Sequence, residues 1–169
     1  MRASVESKGT TERFVKTGLH WGGAIMKILT TPRMERCIGC HSCSFACARL
    51  VHKNLSWDTA GIRIASSGGL STGFEAKLCV ACDPAPCVRA CPTGAYSQRK
   101  GGGVIVRKSL CIHCGECERA CPVNAIYLDP TGDPFVCLHC GRCVAFCPHD
   151  CIEMTEVAVG EAEKSEVQL

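Results

Sequence analysis

The sequence predicts an α+β fold of short hairpins and short helices, arranged as two pseudo-symmetric halves. Three observations lead there. Sixteen of the 17 cysteines fall into four blocks of four. A short pattern recurs after blocks two, three and four, and each of the first two copies leads into a hairpin. The 169 residues include only five Phe, two Tyr and two Trp, so an ordinary apolar core would be thin.

Block one is Cys37, Cys40, Cys43 and Cys47, followed by Ala48. Block two is Cys79, Cys82, Cys87 and Cys91, with Asp83-Pro84-Ala85-Pro86 widening its middle gap. Block three is Cys111, Cys114, Cys117 and Cys121; block four is Cys137, Cys140, Cys143 and Cys147. Blocks two to four each end in proline: Pro92, Pro122 and Pro148. Block three reads C-x2-C-x2-C-x3-C-P, the spacing that holds a cubane [4Fe–4S] cluster. Three thiolates on one tight loop converge on three irons, and the fourth reaches another cluster in two-cluster proteins. The fourth cysteine is expected to start a helical stretch. All sixteen cysteines are candidate iron ligands of four [4Fe–4S] clusters.

Two other readings of so much cysteine are weaker. A disulfide scaffold needs paired, correctly aimed partners, which repeated two-residue gaps do not offer; no apolar secretory leader is evident either. Zinc suits paired C-x2-C units, but not the third and fourth cysteines or the prolines. The formal charge of +3 counts every thiol as neutral. Four oxidised cubanes with their thiolates would move it to about −5, so the charge is no argument for nucleic acid. No apolar run approaches the roughly 20 residues of a membrane span. Together these features point to the cytoplasm.

Residues 1–26 read as an N-terminal arm, disordered or partner-binding, with Trp21 a candidate anchor. Ala24–Leu29 is a candidate first strand, ended by Thr31-Pro32. Residues 27–155 form the expected cluster-binding domain. Ser44–Leu50 should be a short helix carrying Cys47. Ile62 and Ile64 alternate with Arg63, so Gly61–Ala65 reads as a strand. A turn at Ser66–Gly69 and a return over Phe74–Leu78 follow. Ala95–Gln98 and Val104–Val106 pair around Arg99–Gly103. Ile126–Leu128 and Phe135–Val136 pair around Asp129–Asp133. The pattern stops after Met154, leaving residues 156–169 as an acidic tail.

The recurring pattern is Cys91-Pro92-Thr93-Gly94-Ala95-Tyr96, Cys121-Pro122-Val123-Asn124-Ala125-Ile126 and Cys147-Pro148-His149-Asp150-Cys151-Ile152. Its fourth position is Gly, Asn or Asp, the residues that best tolerate a left-handed backbone, so a tight turn is expected each time. Its fifth position is Ala95, Ala125 and Cys151. Cys151 therefore stands in an alanine slot and is expected to be a small buried residue, not a ligand.

Full cysteine ligation leaves no open position on iron, which argues for electron transfer rather than catalysis. No GxSxG, HExxH, P-loop or GxGxxG motif appears. His41, His113 and His139 lie inside the cluster loops. They either donate to cluster sulfur or are simply exposed in tight loops, and the second is favoured. Because clusters cross-link distant loops, the apo-protein is expected to be largely unfolded.

The four blocks together resemble the four-cluster iron–sulfur subunits of the dimethyl-sulfoxide-reductase type. The widened Cys82–Cys87 gap is the most specific token. That resemblance implies a ferredoxin-like fold of two two-cluster (8Fe–8S) units. It pairs block one with four and two with three by exchanging each fourth cysteine. The implied sets are Cys37, Cys40, Cys43 and Cys147; Cys137, Cys140, Cys143 and Cys47; Cys79, Cys82, Cys87 and Cys121; and Cys111, Cys114, Cys117 and Cys91. Sequential pairing of blocks three and four is left open.

The compact fourth block, Cys37-Ile38-Gly39-Cys40, Gly61-Ile62-Arg63-Ile64 and Cys79–Cys87 resemble the small polyferredoxin subunit of bacterial tungsten aldehyde oxidoreductases. The same branch includes the iron–sulfur subunit of class II benzoyl-CoA reductases. For the aldehyde enzymes the resemblance implies two partners, a large tungsten–pterin catalytic subunit and a flavin subunit that reduces NAD. It also implies self-association into a longer wire. A free-standing soluble polyferredoxin is the alternative from another class.

Overall fold

A computed structural model describes residues 25–68, 73–100 and 102–158. Most of the N-terminal arm with Trp21, part of the Ser66–Gly69 turn and the end of the tail lie outside the described residues. Among the described residues, eight strands pair into four separate two-stranded antiparallel sheets, with three short helices between them. The paired strands frame the cysteine loops.

Strand β1 (Ile25–Thr30) pairs with β8 (Glu153–Ala158), joining the two ends of the described chain. Lys27 stands opposite Glu156 and reaches it at 3.1 Å. Both side chains are well exposed, so the pair adds little. More holds the strands together at Thr30, whose Oγ1 lies 2.6 Å from Thr155 Oγ1, and at buried Leu29. β8 corrects the expectation that order stops after Met154: residues 155–158 continue the ladder. Its polar side chains lie along an open two-stranded ribbon, which hides the strand from an apolar pattern.

Helix α1 (Ser42–Leu50) carries Cys43 and Cys47, both buried. Strands β2 (Arg63–Ser66) and β3 (Phe74–Lys77) form the first hairpin. Arg63 faces Lys77 in register; its Nη2 donates to the Asp58 carbonyl at 2.7 Å, and its guanidinium lies 3.8 Å over the Tyr127 ring, which gives the cation a second partner. The strand expected from Gly61 starts two residues later. Gly61 and Ile62 turn their backbone elsewhere: the Gly61 N–H donates to Cys47 Sγ at 3.4 Å, and the Ile62 carbonyl accepts from Ser44 Oγ at 2.9 Å.

Helix α2 (Pro86–Ala90) precedes β4 (Tyr96–Gln98) and β5 (Val104–Val106). Helix α3 (Glu116–Arg119) precedes β6 (Ile126–Leu128) and β7 (Pro134–Val136). Both expected hairpins are present, β4–β5 and β6–β7. Asp129 Oδ1 closes the second turn, accepting from the backbone N–H of Thr131 and of Asp133, both at 2.9 Å.

The fourth cysteines do not start helices; this expectation is corrected. Cys91 and Cys147 are extended, with ψ of 111° and 108°, and each follows a short helical turn. The cause is the next residue. Proline disfavours the helical region for the residue before it, so Pro92 and Pro148 end the turn at the ligand position. Block one has Ala48 there, and α1 runs on through Cys47 to Leu50.

The expected left-handed turns are found. φ is 64° at Gly94, 49° at Asn124 and 52° at Asp150. Each turn bends the chain back so that the fifth residue of the pattern is buried: Ala95, Ala125 and Cys151 are 1%, 0% and 2% exposed.

Two buried groups form the interior of the described residues. One gathers Leu29, Ala48, Ala60, Ile62, Cys43, Cys47, Cys137 and Cys143. The other gathers Ala85, Tyr96, Val104, Ile126, Val136, Cys87 and Cys117. Cysteine supplies much of both, as the scarcity of aromatics suggests.

Candidate metal centres

The structure brings the sixteen block cysteines into four sets of four, each lining its own pocket. Cys37, Cys40, Cys43 and Cys147 line the first; Cys47, Cys137, Cys140 and Cys143 the second. Cys79, Cys82, Cys87 and Cys121 line the third; Cys91, Cys111, Cys114 and Cys117 the fourth. In every set three cysteines come from one block and one from another. The four pockets are alike in size, about 340, 320, 350 and 330 Å³ counted out to the open mouth. Their walls are mostly aliphatic, such as Leu29, Val51 and Ile62 in the second.

The first two thiols of each block stand on a loop with a left-handed residue before the second cysteine, and the third lies in or at the start of the helical turn that follows. φ is 69° at Gly39, 57° at Ala81, 56° at His113 and 52° at His139. This bend points backbone N–H groups inward. Ala81 and His113 donate to Cys79 and Cys111 Sγ at 3.4 Å. In block two the widened gap, with a cis Asp83–Pro84 peptide, is held by Gln98. Its Nε2 donates to the Cys82 carbonyl at 3.1 Å and its Oε1 accepts from Ala85 N–H at 2.9 Å.

The fourth thiols sit in cradles of N–H groups. Ala125 donates to Cys121 Sγ and Cys151 to Cys147 Sγ, both at 3.3 Å. Cys47 has no such turn behind it, and Gly61 N–H takes that role from 14 positions away. Burial acts to raise the Cys147 thiol, but N–H donors from Cys151, His149 and Ile152 outweigh it and hold the thiol below its ordinary value. Cys91 is lowered in the same way, against its burial, by Tyr96, Thr93 and Ala95.

The deeper thiols behave in the opposite sense. Burial pushes Cys43 and Cys87 up to about 11, and Cys137 and Cys143 up to about 12. A buried thiolate without a cation is unfavourable, so these sites need positive metal to hold them ionised. Apolar walls, N–H donors on sulfur and four thiols around a cavity rather than a point fit a cubane iron–sulfur group.

Neighbouring sets adjoin one another. Beyond burial and its own set, Cys143 is raised by neighbouring Cys43, which joins the first and second sets. Cys137 is likewise raised by Cys79, which joins the second and third. Burial, then Cys117 and Cys87, raise the Tyr96 hydroxyl, which joins the fourth and third.

Cys151 is where the alanine slot places it. It is buried and lines the first pocket with the four block cysteines, and burial followed by its hydrogen bond to Cys147 raises its thiol to about 12. His113 is exposed, in line with the favoured reading, with Nδ1 at 3.5 Å from Asp133. His139 corrects that reading: it is 5% exposed, and its Nδ1 accepts from Leu29 N–H at 3.0 Å. Strand β1, 110 positions away, covers it. Tyr96, Gly61 and Gln98 are site residues that the cysteine spacing does not point to. For Tyr96 a signal exists, because it is the one polar residue in a slot otherwise filled by Ile126 and Ile152.

Residues 104–127 match a 4Fe-4S binding domain family, and residues 134–158 match a second one. These segments hold blocks three and four. Two segments of the chain are thus similar to 4Fe–4S binding domains. It is 42% identical over 101 residues to the thiosulfate reductase electron transfer subunit PhsB of Salmonella typhi, covering 57% of this chain and 53% of that one. It is 37% identical over 100 residues to the polysulfide reductase B subunit of Wolinella succinogenes, covering 56% and 52%. It is 42% identical over 98 residues to the aliphatic sulfonate oxidoreductase polyferredoxin-like subunit of Pyrococcus furiosus, covering 56% and 53%. The chain thus spans about half the length of these curated relatives. They are iron–sulfur electron-transfer subunits of oxidoreductases, not catalytic ones. A solved structure of the active site complex BamBC of benzoyl coenzyme A reductase aligns over 83% of both chains, at 19% identity and a TM-score of 0.46, a likeness too weak to relate the folds. Among the described residues no helix is long and apolar enough to cross a membrane.

Proposed function

We propose that this chain is an electron-transfer subunit holding four [4Fe–4S] clusters in a row. In the first-choice reading it relays electrons between a tungsten–pterin aldehyde-oxidising subunit and a flavin subunit that reduces NAD. The observation that carries the relay is the arrangement of the sixteen thiols: four similar pockets, each with three cysteines from one block and the fourth from another. All sixteen block cysteines are the proposed ligands, and Cys151 is not one. The exchange of fourth cysteines makes two two-cluster units, the first and second sets forming one and the third and fourth the other.

A bound [4Fe–4S] cluster supplies one-electron oxidation and reduction, at a potential set by its surroundings. The chain's residues do the rest. Cys43, Cys143, Cys137 and Cys79 bring neighbouring sets close through buried sulfur. Leu29, Val51, Ile62 and Val136 exclude water from the second pocket. Cys40 of the first set, Cys140 of the second and Cys114 of the fourth reach the surface. Ile38 and Ile112 stand exposed beside Cys40 and Cys114, at 61% and 58%, and offer apolar contact to partners at the two ends. The proposed body is residues 27–155 with β8 completing it, working in the cytoplasm and able to associate with further copies.

The names of the relatives favour a second reading, in which the catalytic partner is another molybdenum or tungsten oxidoreductase acting on a sulfur substrate. A class II benzoyl-CoA reductase partner and a free-standing polyferredoxin are the remaining alternatives. One experiment separates them: purify the native complex without oxygen through a tag on this subunit, and measure iron, sulfide, tungsten and molybdenum. About sixteen iron and sixteen sulfide per chain with tungsten and a large co-purifying subunit supports the relay, and aldehydes are then assayed first. Molybdenum with turnover of thiosulfate or polysulfide supports the second reading. Iron and sulfide with no other metal and no partner leaves a free polyferredoxin.

A further inference from the structure

Three positions in the chain are equivalent: Tyr96, Ile126 and Ile152, each the sixth residue of the repeated pattern and each 2% exposed. Two are purely aliphatic. The third carries a hydroxyl into the same kind of buried slot. Tyr96 packs with Ala85, Cys87, Val104, Cys117 and Ile126 in the interior and lines the fourth pocket beside Cys111 and Cys117. Its Oη is buried and has no hydrogen-bond partner, sulfur included, among the described residues. A hydroxyl left unpaired in an apolar interior is costly, so a tyrosine here needs an acceptor. Cys117 and Cys87 pack in the same interior group, and Cys117 lines the same pocket, so a cysteine sulfur is the acceptor at hand.

We propose that the Tyr96 hydroxyl donates a hydrogen bond to Cys117 Sγ in the cluster-loaded protein and raises the reduction potential of the fourth cluster above what its thiolates and backbone donors alone would give. This deepens the proposed ligation by Cys91, Cys111, Cys114 and Cys117 and rests on it. A thiolate bound to iron is a stronger acceptor than the free thiol. Reduction adds one electron to the cluster and increases the negative charge on its sulfurs, so a fixed donor favours the reduced form. No proton moves: Tyr96 keeps its hydrogen in both states. The third set has Ile126 in its equivalent slot and gains no such donor. The hydroxyl therefore adds to the difference between two adjacent clusters that share the turn and proline after their fourth cysteines but not the loop of the first three, and it biases electrons toward the fourth cluster, where Cys114 is exposed.

The test is an anaerobic redox titration of the holoprotein followed by EPR, comparing wild type with Tyr96→Phe. Phenylalanine keeps the ring and removes only the donor. Cys114→Ser identifies which signal belongs to the fourth cluster. The expected result is an unchanged iron content and a fourth-cluster midpoint shifted negative, by up to about the 59 mV of a tenfold change in its reduction equilibrium. The other three midpoints stay in place. Four unmoved midpoints, or a shift confined to another cluster, would overturn the inference. If Tyr96→Phe does not assemble, 3-fluorotyrosine at position 96 decides: its more acidic hydroxyl should shift the same midpoint positive, and no shift sinks the idea. If wild type lacks a cluster that Cys114→Ser alters, the ligation reading fails together with the inference, a result distinct from four clusters and no shift.

Discussion

Leu29 donates its backbone N–H to Nδ1 of His139 at 3.0 Å, across 110 positions of sequence. The bond ties β1 to the loop that carries Cys137 and Cys140. It also fixes the tautomer, because an Nδ1 that accepts leaves the ring proton on Nε2. His139 must meet two demands at once, an acceptor for Leu29 and a φ of 52°. Asparagine meets both, since its Oδ1 is an acceptor and it tolerates a left-handed backbone. Leucine meets neither. His139→Leu should cost about 2–4 kcal/mol from an unpaired buried N–H and backbone strain, and His139→Asn clearly less. Anaerobic denaturant unfolding of the holoprotein measures this; equal losses would show that the ring's packing, not its acceptor, matters.

Gly61 lies where a Cβ would stand 2.5 Å from both the carbonyl carbon and oxygen of Val136. Backbone must shift to admit any side chain, and the shift draws Gly61 N–H away from Cys47 Sγ. Gly61→Ala should destabilise by about 1–3 kcal/mol and perturb the second site first. Iron analysis with EPR checks it: a loss spread evenly over all sites would count against a local effect.

How much of the fold is legible in the sequence divides by distance along the chain. The turns at Gly94, Asn124 and Asp150 are readable because a left-handed residue announces itself locally. The hairpins β4–β5 and β6–β7 are readable for the same reason. The grouping of Cys147 with block one is non-local, and only the resemblance supplies it. The burial of His139 depends on β1, and β8 depends on the same strand at the far end of the chain; neither leaves a mark in its own neighbourhood. At Gly61-Ile62 the alternation with Ile64 suggests a ladder. The backbone is instead diverted to Cys47 and Ser44, which only the packed structure reveals. The prolines after the fourth cysteines are plain in the sequence, yet their main effect falls on the residue before them, where Pro92 and Pro148 hold Cys91 and Cys147 extended.

Asn124 is exposed, has φ of 49°, and donates its N–H to the Cys121 carbonyl at 3.3 Å. Its side chain points to solvent, so substitutions report the backbone alone. Asn124→Gly should be neutral within about 0.5 kcal/mol, and Asn124→Val should cost about 1–2 kcal/mol or more. Equal stability of the two variants would mean that the turn relaxes.

Cys151 and Cys147 differ by four positions and by proposed role. Cys151→Ala restores the residue found at Ala95 and Ala125, so it should keep full iron and lose about 1 kcal/mol or less. Cys147→Ala removes a proposed ligand and should cost the first cluster. Iron loss in Cys151→Ala matching that in Cys147→Ala would make Cys151 a ligand after all.

His52 offers a test by pH. Burial lowers its imidazole below the ordinary value, and the nearby Lys108 adds to the effect. Its Nε2 is buried without a partner among the described residues. Its ring meets Phe135 edge-on at 4.9 Å, and the Lys108 ammonium lies 4.0 Å from the same Phe135 ring. A second cation there would face the first across one aromatic ring. With the folded value depressed, the unfolded chain binds this proton first. Stability from neutral His52 is therefore complete above pH of about 6.5 and is lost as pH falls from there through the folded value. The holoprotein should unfold at lower urea at pH of about 5.5 than at about 7.5. His52→Gln should narrow that difference, because it removes the titrating group, while acid loss of clusters affects both proteins alike. An unchanged difference in the variant would place the pH dependence elsewhere.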